Sequence, residues 1–441
     1  MHRTTLARAH KQRAPARQIR TAEIIALQGA IEQLLPRLRL AVIFGGDKRS
    51  PGSVVYEAQN TRSWKSYQAV AEDIADALRR IGCGHVEVVP EDMRLAERLR
   101  RSGIHMAWLN SAGVQGYNSA AHGSAMLEML GIPYVGHDPL AATTLDNKHA
   151  FKREAVCAGL PTAAFSTWHP ARGPFRPDLN SRFLQAFGDY PGPFIVKPVS
   201  GRASLHVNVV PDRQTLSDAV AEVYDHTDNV VLIEKYLAGR EFCIAAGGPI
   251  VARGKTLSHL GKPFTFAALE RSFATDELIF TSMDVKPITA DRFKHVDQKR
   301  EPALWSKLHC LARDVFLDFN LRSLIRIDVR ADESGNLYIL EANPKPDLKR
   351  PDKAATSLIS AGLSQAGLDY DDLILSLLAD RLGSLVGHGT RAANHITELL
   401  DPYSTNAAKL GHALRPSDET EGMVHALEEA SRRMKLYEIS D

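Results

Sequence analysis

Four polar residues in the last third of the chain have the types and the spacing of a metal site. Arg326 and Asp328 stand two apart in an alternating polar and apolar run, so on a strand they share one face. Glu341 and Asn343 have the same spacing in a second run, and turn formers between the runs predict an antiparallel hairpin. With a four-residue loop at 333–336, Asp328 lies opposite Glu341. The same register puts Arg326 opposite Asn343, so the four side chains gather on one face.

The ligand types in this group favour a hard cation. Carboxylate and amide oxygens, with no Cys or His among them, suit Mg²⁺, which keeps coordination places for water and phosphate oxygens. A site of this kind beside an arginine indicates phosphoryl chemistry. From these residues alone, a hairpin with a solvated acidic end is an equal alternative.

The composition indicates a globular protein of several domains. The chain has 441 residues, too many for one ordinary core, with 44% hydrophobic and 24% charged residues. Its apolar runs are shorter than the roughly 18 residues of a membrane span. Its net charge of +2 gives no global field for nucleic acid. We therefore expect neither a membrane nor a nucleic-acid partner.

Cysteines and motifs narrow the chemistry further. The four cysteines are far apart and form no CxxC or Cys/His cluster, so neither a disulfide framework nor a zinc site is expected, and a cytoplasmic location fits. The chain has no HExxH, GxSxG, GxGxxG or Walker GxxxxGK sequence. Zinc hydrolases, serine hydrolases, dinucleotide dehydrogenases and P-loop ATPases therefore lose support.

The amino-terminal segment differs in charge from the rest. Residues 1–20 carry basic residues and no acidic one, which predicts a mobile arm, with a docking segment or a targeting peptide as alternatives. Helical spacing at 21–38 predicts a helix that packs against the domain after it. Strands at 40–47, 85–89 and 105–110 then alternate with helices, and this order predicts a parallel sheet with helices on its faces.

Two lysines and an acidic segment follow at the ends of predicted elements. Lys148 stands at a helix start, where backbone N–H groups favour anions, although capping with a solvated lysine is the alternative. Lys197 ends an apolar strand and is costly to bury unless an anion meets it. After a strand at 230–233, the main chain of 234–237 can pair with a base edge, and the Glu241 carboxylate can hold ribose hydroxyls.

These motifs, in this order, resemble the ATP-grasp fold and most closely the D-alanine-D-alanine ligases. They are GIPYVG with Lys148, IVKP at Lys197, VLIEKYLAGREF, RIDV and LEAN, and the likeness covers residues 37–384. The resemblance implies an α/β protein. It would have an N-terminal parallel, Rossmann-like domain and a pair of α+β subdomains that clamp the nucleotide.

The resemblance also implies a division of the chain. A basic arm and helix at 1–36 precede an N-terminal α/β domain at 37–145. A central ATP-grasp subdomain at 146–241 and a C-terminal one at 242–384 follow. Residues 385–441 form an appendage with one helix at 419–436, for which we expect a packing or homodimer role, with partner docking as the alternative.

The nucleotide-binding residues of the family carry over to matching positions. The phosphate contacts would be Lys148 and Lys197, with Arg202 and Ser204 in the covering loop. The nucleoside contacts would be Glu234, Lys235, Tyr236 and Leu237 for adenine and Glu241 for ribose.

The metal and catalytic positions match as well. Asp328, Glu341 and Asn343 would hold two Mg²⁺ ions, with Mn²⁺ as an alternative occupant. Arg326 matches the arginine that steadies the transferring group. Arg271 stands where these ligases have a flap lysine, which keeps the charge but changes its geometry.

Other positions depart from the ligase pattern. The first-domain His-Gly and Gly-Glu-Asp-Gly signature is absent, and PKPDLKRPDK follows Asn343 where small residues and glycine are usual. Lys345, Lys349 and Arg350 in this segment either point into solvent or hold a substrate carboxylate. We expect a substrate that is larger or more anionic than D-alanine.

The resemblance implies an ATP-dependent carboxylate-amine ligase for amino acid or carboxylic acid substrates. It would form a peptide-type amide bond through an acyl phosphate and release ADP and phosphate. A D-alanine-D-alanine ligase of cell-wall synthesis and a non-catalytic ATP-binding regulator are the alternatives.

Overall fold

The computed structural model describes residues 21–46, 67–114, 118–201, 205–273, 279, 289–351, 356–387 and 394–400. Within these residues, three sheets carry the fold, one parallel and two antiparallel, together with a short hairpin. The α/β class and its parallel first sheet are therefore confirmed.

The first sheet is built from buried apolar strands that all run in one direction. The strands are β1 (Arg39–Gly45), β2 (His85–Glu91), β3 (Met106–Asn110) and β4 (Tyr134–Val135), in the order β2-β1-β3-β4. The connecting helices of this part are α2 (Gln68–Ile81), α3 (Leu95–Arg101) and α4 (His122–Met129). β1 is buried along almost its whole length, as expected for a strand covered by helices on both faces.

The first helix, α1 (Thr21–Leu34), ends earlier than the predicted 21–38 segment. It packs in one apolar core with the first sheet, but also with elements from much later in the chain. The amide nitrogen of Leu257 donates to the Gln28 side chain at 3.1 Å, which shows one such contact. The helix therefore contacts the later part of the chain as well as covering the first domain.

The second sheet is antiparallel and has an aromatic core. Its strands are β5 (Phe165–Trp168), β6 (Phe194–Pro198), β7 (Asn208–Val210) and β8 (Val231–Lys235), in the order β5-β8-β6-β7. The helices α7 (Ser181–Phe187) and α8 (Leu216–Thr227) pack against this sheet. Two preceding helices, α5 (Pro139–Asp146) and α6 (Lys148–Cys157), pack instead in the core of the third sheet. Phe183 contacts the rings of Phe187 and Phe194, which fixes α7 against the sheet.

The third sheet is antiparallel and carries the predicted metal hairpin. Its strands are β9 (Glu241–Gly247), β12 (Phe264–Arg271), β13 (Phe293–His295), β14 (Ile325–Ala331) and β15 (Leu337–Asn343), in the order β13-β12-β9-β14-β15. A short hairpin stands beside it, made of β10 (Ile250–Arg253) and β11 (Thr256–His259). The remaining described helices are α9 (Pro302–Asp318), which packs against this sheet, α10 (Tyr370–Gly387) and α11 (Asn394–Thr397).

The predicted pairing of β14 with β15 is confirmed at the residues that matter. Asp328 is the partner of Glu341, and Arg326 is the partner of Asn343. The predicted four-residue loop is wrong, because Ala331 already pairs with Leu337. The longer turn closes on the Asp332 carboxylate, which accepts the amide N–H groups of Ser334 and Asn336.

A β-bulge reconciles the longer turn with the predicted pairs. The register shifts between Asp328 and Val329, so that Leu340 has no partner of its own. Without this extra residue, Glu341 would move by one position and point to the other face of the sheet. The bulge is therefore what brings Glu341 to the face of Asp328.

A close approach ties the second sheet to the third. Gly239, between β8 and β9, donates its N–H to the Ala331 carbonyl at 3.0 Å. A Cβ at this glycine would lie 2.5 Å from the Asp332 carbonyl oxygen, so only glycine allows the contact. This approach fixes where Glu241 enters the third sheet.

The predicted domain limits meet the elements unevenly. The limit after Ser384 falls inside α10, which continues to Gly387, and the limit after Glu241 falls at the first residue of β9. The helix predicted at 419–436 and the arm at 1–20 lie outside the described residues. In the part that the structure describes, none of the helices has the length and apolarity needed to cross a membrane.

Candidate active site

A cleft of about 900 Å³, part of it open to solvent, lies between the second and third sheets. Its polar lining comes from α6, the two sheets and the segment after β8: Lys148, Lys197, Glu234, Lys235, Tyr236, Glu241, Arg271, Asp328, Arg330 and Glu341. Its apolar lining is Ala163, Ile195, Leu205, Val207, Leu237, Ile279 and Leu340. The structure thus brings most of the predicted site residues to one place.

Glu234 organises the lysines on the second-sheet side of the cleft. Its carboxylate binds Lys152 at 2.6 Å through one oxygen and Lys197 through the other. All three side chains are buried. Glu234 was predicted beside adenine; here its carboxylate holds the two lysines, and the residues after it extend along the cleft.

Lys152 was missed by the sequence analysis. It stands one helical turn after Lys148 on α6, so the two lysines project from the same side of the helix. Its Nζ atom also donates to the Thr162 hydroxyl at 2.6 Å. Burial lowers the pKa of Lys152 well below its ordinary value, and the charge of Lys197 lowers it further. The i, i+4 spacing of the two lysines was the available signal.

Lys148 connects the start of α6 with the third sheet. The Asn147 side chain caps the helix by accepting the N–H groups of His149 and Ala150, which confirms a helix start at this point. The Nζ atom of Lys148 lies 3.2 Å from a Glu341 oxygen and donates to the Gly201 carbonyl at 3.1 Å. The lysine therefore reaches the cleft.

Asp328 lies between two guanidinium groups. Arg326 donates to both of its oxygens, at 2.9 and 3.0 Å, and Arg271 lies 2.9 Å from one of them. Burial by itself would raise the pKa of Asp328, but the charges of Arg271 and Arg326 hold it below its ordinary value. Asp328 is therefore an anion over the whole neutral range.

Glu341 is kept ionised in the same manner from the other side. Burial would raise its pKa, and the charge of Lys148 lowers it below the ordinary value of a glutamate. The two carboxylates repel each other, since the Asp328 charge acts in the opposite sense to that of Lys148. Two ionised carboxylates on facing strand positions are suited to bind a cation between or beside them.

Arg330 was also missed, although it continues the 326, 328 alternation on β14. It lies 3.3 Å from one Glu241 oxygen, while Arg271 binds the other at 2.6 Å. Its guanidinium also donates to the Tyr236 hydroxyl at 3.0 Å and stands over the Tyr236 ring. Glu241, predicted as a ribose ligand, thus has both oxygens engaged by arginines.

Comparison with known protein families identifies the family of this chain. Residues 156–379 match the family model described as D-ala D-ala ligase C-terminus. The chain belongs to the D-alanine-D-alanine ligase family. It is therefore an ATP-grasp enzyme, an ADP-forming ligase that makes an amide from a carboxylate and an amine.

Relatives and solved structures of this family align over most of the chain. The D-alanine-D-alanine ligase of Pseudomonas putida strain GB-1 is 29% identical over 348 residues, which are 78% of this chain and 94% of that protein. The enzyme of Pelotomaculum thermopropionicum is 26% identical over 350 residues, 77% of this chain and 96% of that protein.

The structural neighbours show the same fold. The D-alanine-D-alanine ligase of Bacillus anthracis complexed with ATP has a TM-score of 0.53 at 19% identity, over 78% of this chain and 97% of that one. The VanG D-Ala:D-Ser ligase of Enterococcus faecalis has a TM-score of 0.55 at 16% identity, over 78% and 99%.

Enzymes of the D-alanine-D-alanine ligase family use ATP and a divalent metal, and the donor set of this ligase suits such an ion. Asp328, Glu341 and Asn343 offer only oxygen, the donor that Mg²⁺ prefers. Among the described residues, no group of three His, Cys, Asp or Glu side chains is placed to hold a metal. A bound ion would therefore need oxygens beyond these two carboxylates and one amide, which fits an ion shared with a phosphate.

The cations after Asn343 are divided by the structure. The Nζ atom of Lys345 lies 3.4 Å from the centre of the Tyr67 ring, and its amide donates to the Asn343 side chain at 3.0 Å. Lys349 is partly buried, whereas Arg350 is exposed and its amide binds Asp73 on α2. Lys345 is thus held close to the predicted metal ligands. Arg202 and Ser204 lie outside the described residues.

Proposed function

We propose that this ligase activates a carboxylate substrate as an acyl phosphate. A carboxylate oxygen attacks the γ-phosphorus of ATP and ADP leaves; an amine then attacks the acyl carbon and displaces phosphate, giving an amide. The observation that carries this proposal is the pairing of Asp328 with Glu341 at the end of the cleft where Lys148 and Lys197 meet. Anionic metal ligands and cationic phosphate ligands converge there, as phosphoryl transfer requires.

The chain's own residues have distinct tasks in this scheme. Lys148 and Lys197 bind phosphate oxygens, and Glu234 fixes the Lys197 ammonium group. Asp328, Glu341 and Asn343 would hold two Mg²⁺ ions, which when bound neutralise the charge on the phosphates. Mn²⁺ has the same ligand preference.

Two arginines hold the negatively charged Asp328 side chain in position. Arg326 and Arg271 fix Asp328 from two sides, and both arginines are protonated at neutral pH. Arg326 is the one we assign to the transferring phosphoryl group, because it shares the β14 face with Asp328. Arg271 links this group to Glu241 at the nucleoside end.

The substrates are small amino acids or related carboxylic acids. D-alanine-D-alanine ligases are the named relatives, yet the segment after Asn343 carries lysines and an arginine in this chain. We propose that at least one of Lys345, Lys349 and Arg350 binds a substrate carboxylate, with Lys345 the best placed. The preferred substrate is then larger or more anionic than D-alanine, because each charge-assisted contact adds about 1.5–3 kcal/mol.

A substrate grid tests the proposed function. Amino acids of both configurations and dicarboxylic acids are incubated in pairs with the full chain, ATP and Mg²⁺. ADP and phosphate are measured, and products are weighed by mass spectrometry. We expect ADP, phosphate and an amide in equal amounts for at least one pair other than D-alanine with itself.

Three other outcomes would contradict parts of the proposal. AMP formed in step with product would exclude the acyl phosphate. D-alanine as the best substrate would identify a D-alanine-D-alanine ligase and remove the larger substrate. ATP binding without turnover for every pair would identify a non-catalytic nucleotide-binding protein.

A further inference from the structure

A second cavity lies away from the ATP cleft, between the edge of the first sheet and α10. Its lining includes Glu128, Tyr134, Asn320, Arg322, Arg381 and Ser384. None of these residues lines the ATP cleft. Three separate parts of the chain meet in it: the segment that leads into β4, the segment that leads into β14, and the last turns of α10.

Arg381 is the central cation of this cavity. Its side chain is partly buried, its Nε atom donates to the Tyr134 carbonyl at 2.9 Å, and its guanidinium stands 5.8 Å from the Tyr134 ring centre. Among the residues that the structure describes, no carboxylate oxygen comes within 4.0 Å of this guanidinium. The preceding residue, Asp380, is directed to the opposite side, towards Gly248 and the Ile250 amide.

Arg322 adds a second positive charge to the same cavity. Its closest carboxylate oxygen in the described chain is on Asp138, at 3.9 Å, and about half of its side chain is exposed (52%). The other oxygen of Asp138 caps α5 by accepting the Ala141 amide at 2.9 Å. Arg322 is therefore only weakly neutralised.

The guanidinium groups of Arg322 and Arg381 lie in the same partly enclosed cavity, where their positive charges repel each other. Burial is the largest cause that lowers the pKa of Arg381, and the charge of Arg322 acts in the same direction, whereas Tyr134 and the carboxylates of Asp380 and Glu128 act against it. Arginine stays protonated in proteins, so the charge cannot be relieved by losing a proton. An anion that accepts hydrogen bonds from both groups would relieve it, and planar guanidiniums bind carboxylate and phosphate oxygens well.

We propose that this cavity is a binding site for a small oxyanion, a carboxylate or a phosphate, held by Arg322 and Arg381. The Glu128 carboxylate is bound to the Tyr134 hydroxyl at 2.9 Å. It sets the negative edge of the cavity and disfavours ligands with a large negative charge. Asn320 adds a neutral amide to the lining. The proposal does not depend on the reaction at the ATP cleft.

Two probes distinguish the sources of such an anion. Inorganic phosphate and succinate are titrated separately into the full chain by calorimetry, with sodium chloride used to hold ionic strength constant. A Lys197→Met variant is titrated in parallel, because free phosphate can also bind at the ATP site. We expect at least one probe to bind wild type and Lys197→Met alike, with a dissociation constant of about 1 mM or tighter.

Variants of the cavity then locate the binding. Arg381→Met and Arg322→Gln should each weaken it by about tenfold or more, and Arg381→Lys should lose less than Arg381→Met. Arg172→Met, an exposed arginine outside the cavity, is the matched control and should bind as wild type does. Circular dichroism verifies that each variant is folded, and Arg322→Gln decides the matter if Arg381→Met does not fold.

The proposal is overturned by any of three results. Neither probe binds wild type; binding disappears in Lys197→Met, which would place the anion at the ATP site; or the folded cavity variants bind as tightly as wild type. Binding of phosphate alone, or of succinate alone, supports the site and assigns its class of ligand.

Discussion

The Nζ atom of Lys152 lies 2.6 Å from a carboxylate oxygen of Glu234, and both side chains are almost completely enclosed. The other oxygen of Glu234 binds Lys197. Lys152 therefore determines where Glu234 lies, and through it the position of Lys197, the lysine that we propose binds phosphate. We therefore propose that Lys152 is a positioning residue.

We predict that Lys152→Met lowers the free energy of unfolding by about 3 kcal/mol, because one oxygen of a buried carboxylate loses its partner. The Michaelis constant for ATP should rise, with a smaller effect on kcat. Urea unfolding and steady-state kinetics measure the two effects. Lys307→Met, at an exposed position of α9, is the control and should change stability by less than about 0.5 kcal/mol. Equal stability of the two variants would show that Lys152 does not support Glu234.

We predict that Glu341→Gln lowers kcat by about 100-fold or more, because a metal ligand loses its charge while the shape of the side chain is kept. Stability should change by only about 1 kcal/mol, since the Glu341 side chain is 33% exposed and its ion pair with Lys148 is partly solvated. When activity is titrated with Mg²⁺, the variant should need a higher Mg²⁺ concentration than wild type for half-maximal activity. Glu333→Gln, in the turn of the same hairpin, is the control. Near wild-type turnover in Glu341→Gln would remove Glu341 from the metal site.

We predict that kcat/KM for ATP falls above about pH 8. Burial, and next to it the charge of Lys148, lower the pKa of Lys197 from 10.5 to about 8. Since kcat/KM reports the free enzyme, loss of this proton removes a phosphate contact and should reduce kcat/KM by up to about tenfold per pH unit.

The same shift has the opposite effect on stability. The unfolded chain keeps the Lys197 proton up to pH 10.5, whereas the folded protein loses it near pH 8. The contribution of Lys197 to stability therefore increases as the pH rises between these values.

Lys197→Arg stays charged and should abolish the alkaline decline in kcat/KM. A decline of the same steepness in Lys197→Arg would assign it to another group.

We predict that Lys345→Ala raises the Michaelis constant of one substrate by about tenfold, because a charge-assisted contact to its carboxylate is lost. The KM for ATP should stay the same. Arg350→Ala should have little effect, since Arg350 is exposed and binds Asp73 on α2 through its backbone amide. Wild-type kinetics for Lys345→Ala, Lys349→Ala and Arg350→Ala alike would remove this segment from substrate binding.

Much of this site could be predicted because its residues repeat at strand spacing. Alternation placed Arg326 with Asp328 and Glu341 with Asn343, and the pairing across the hairpin followed from those two facts. The bulge at Leu340 could not be predicted, because it depends on how the Asp332 carboxylate closes the turn. The observed loop is one residue longer than the predicted one, and the bulge adds one residue to β15. These two differences cancel at Asp328, which therefore pairs with Glu341 as predicted.

Other features depend on contacts between distant segments. Lys152 is a lysine on a short helix, and its burial follows from Glu234, many residues later in the chain. The role of Arg330 could be predicted only with the knowledge that Glu241 lies opposite it on the neighbouring strand. The packing of α1 against the β10–β11 hairpin likewise depends on elements that local sequence patterns do not connect.

Transfer of oxygen from substrate to phosphate tests the central claim most directly. The carboxylate substrate found by the grid is labelled with ¹⁸O at both oxygens, and the phosphate released with ADP is examined by ³¹P NMR. An acyl phosphate leaves one substrate oxygen on the phosphorus, so we predict one ¹⁸O atom in each phosphate formed with product. Phosphate without ¹⁸O, while amide accumulates at the normal rate, would contradict the account.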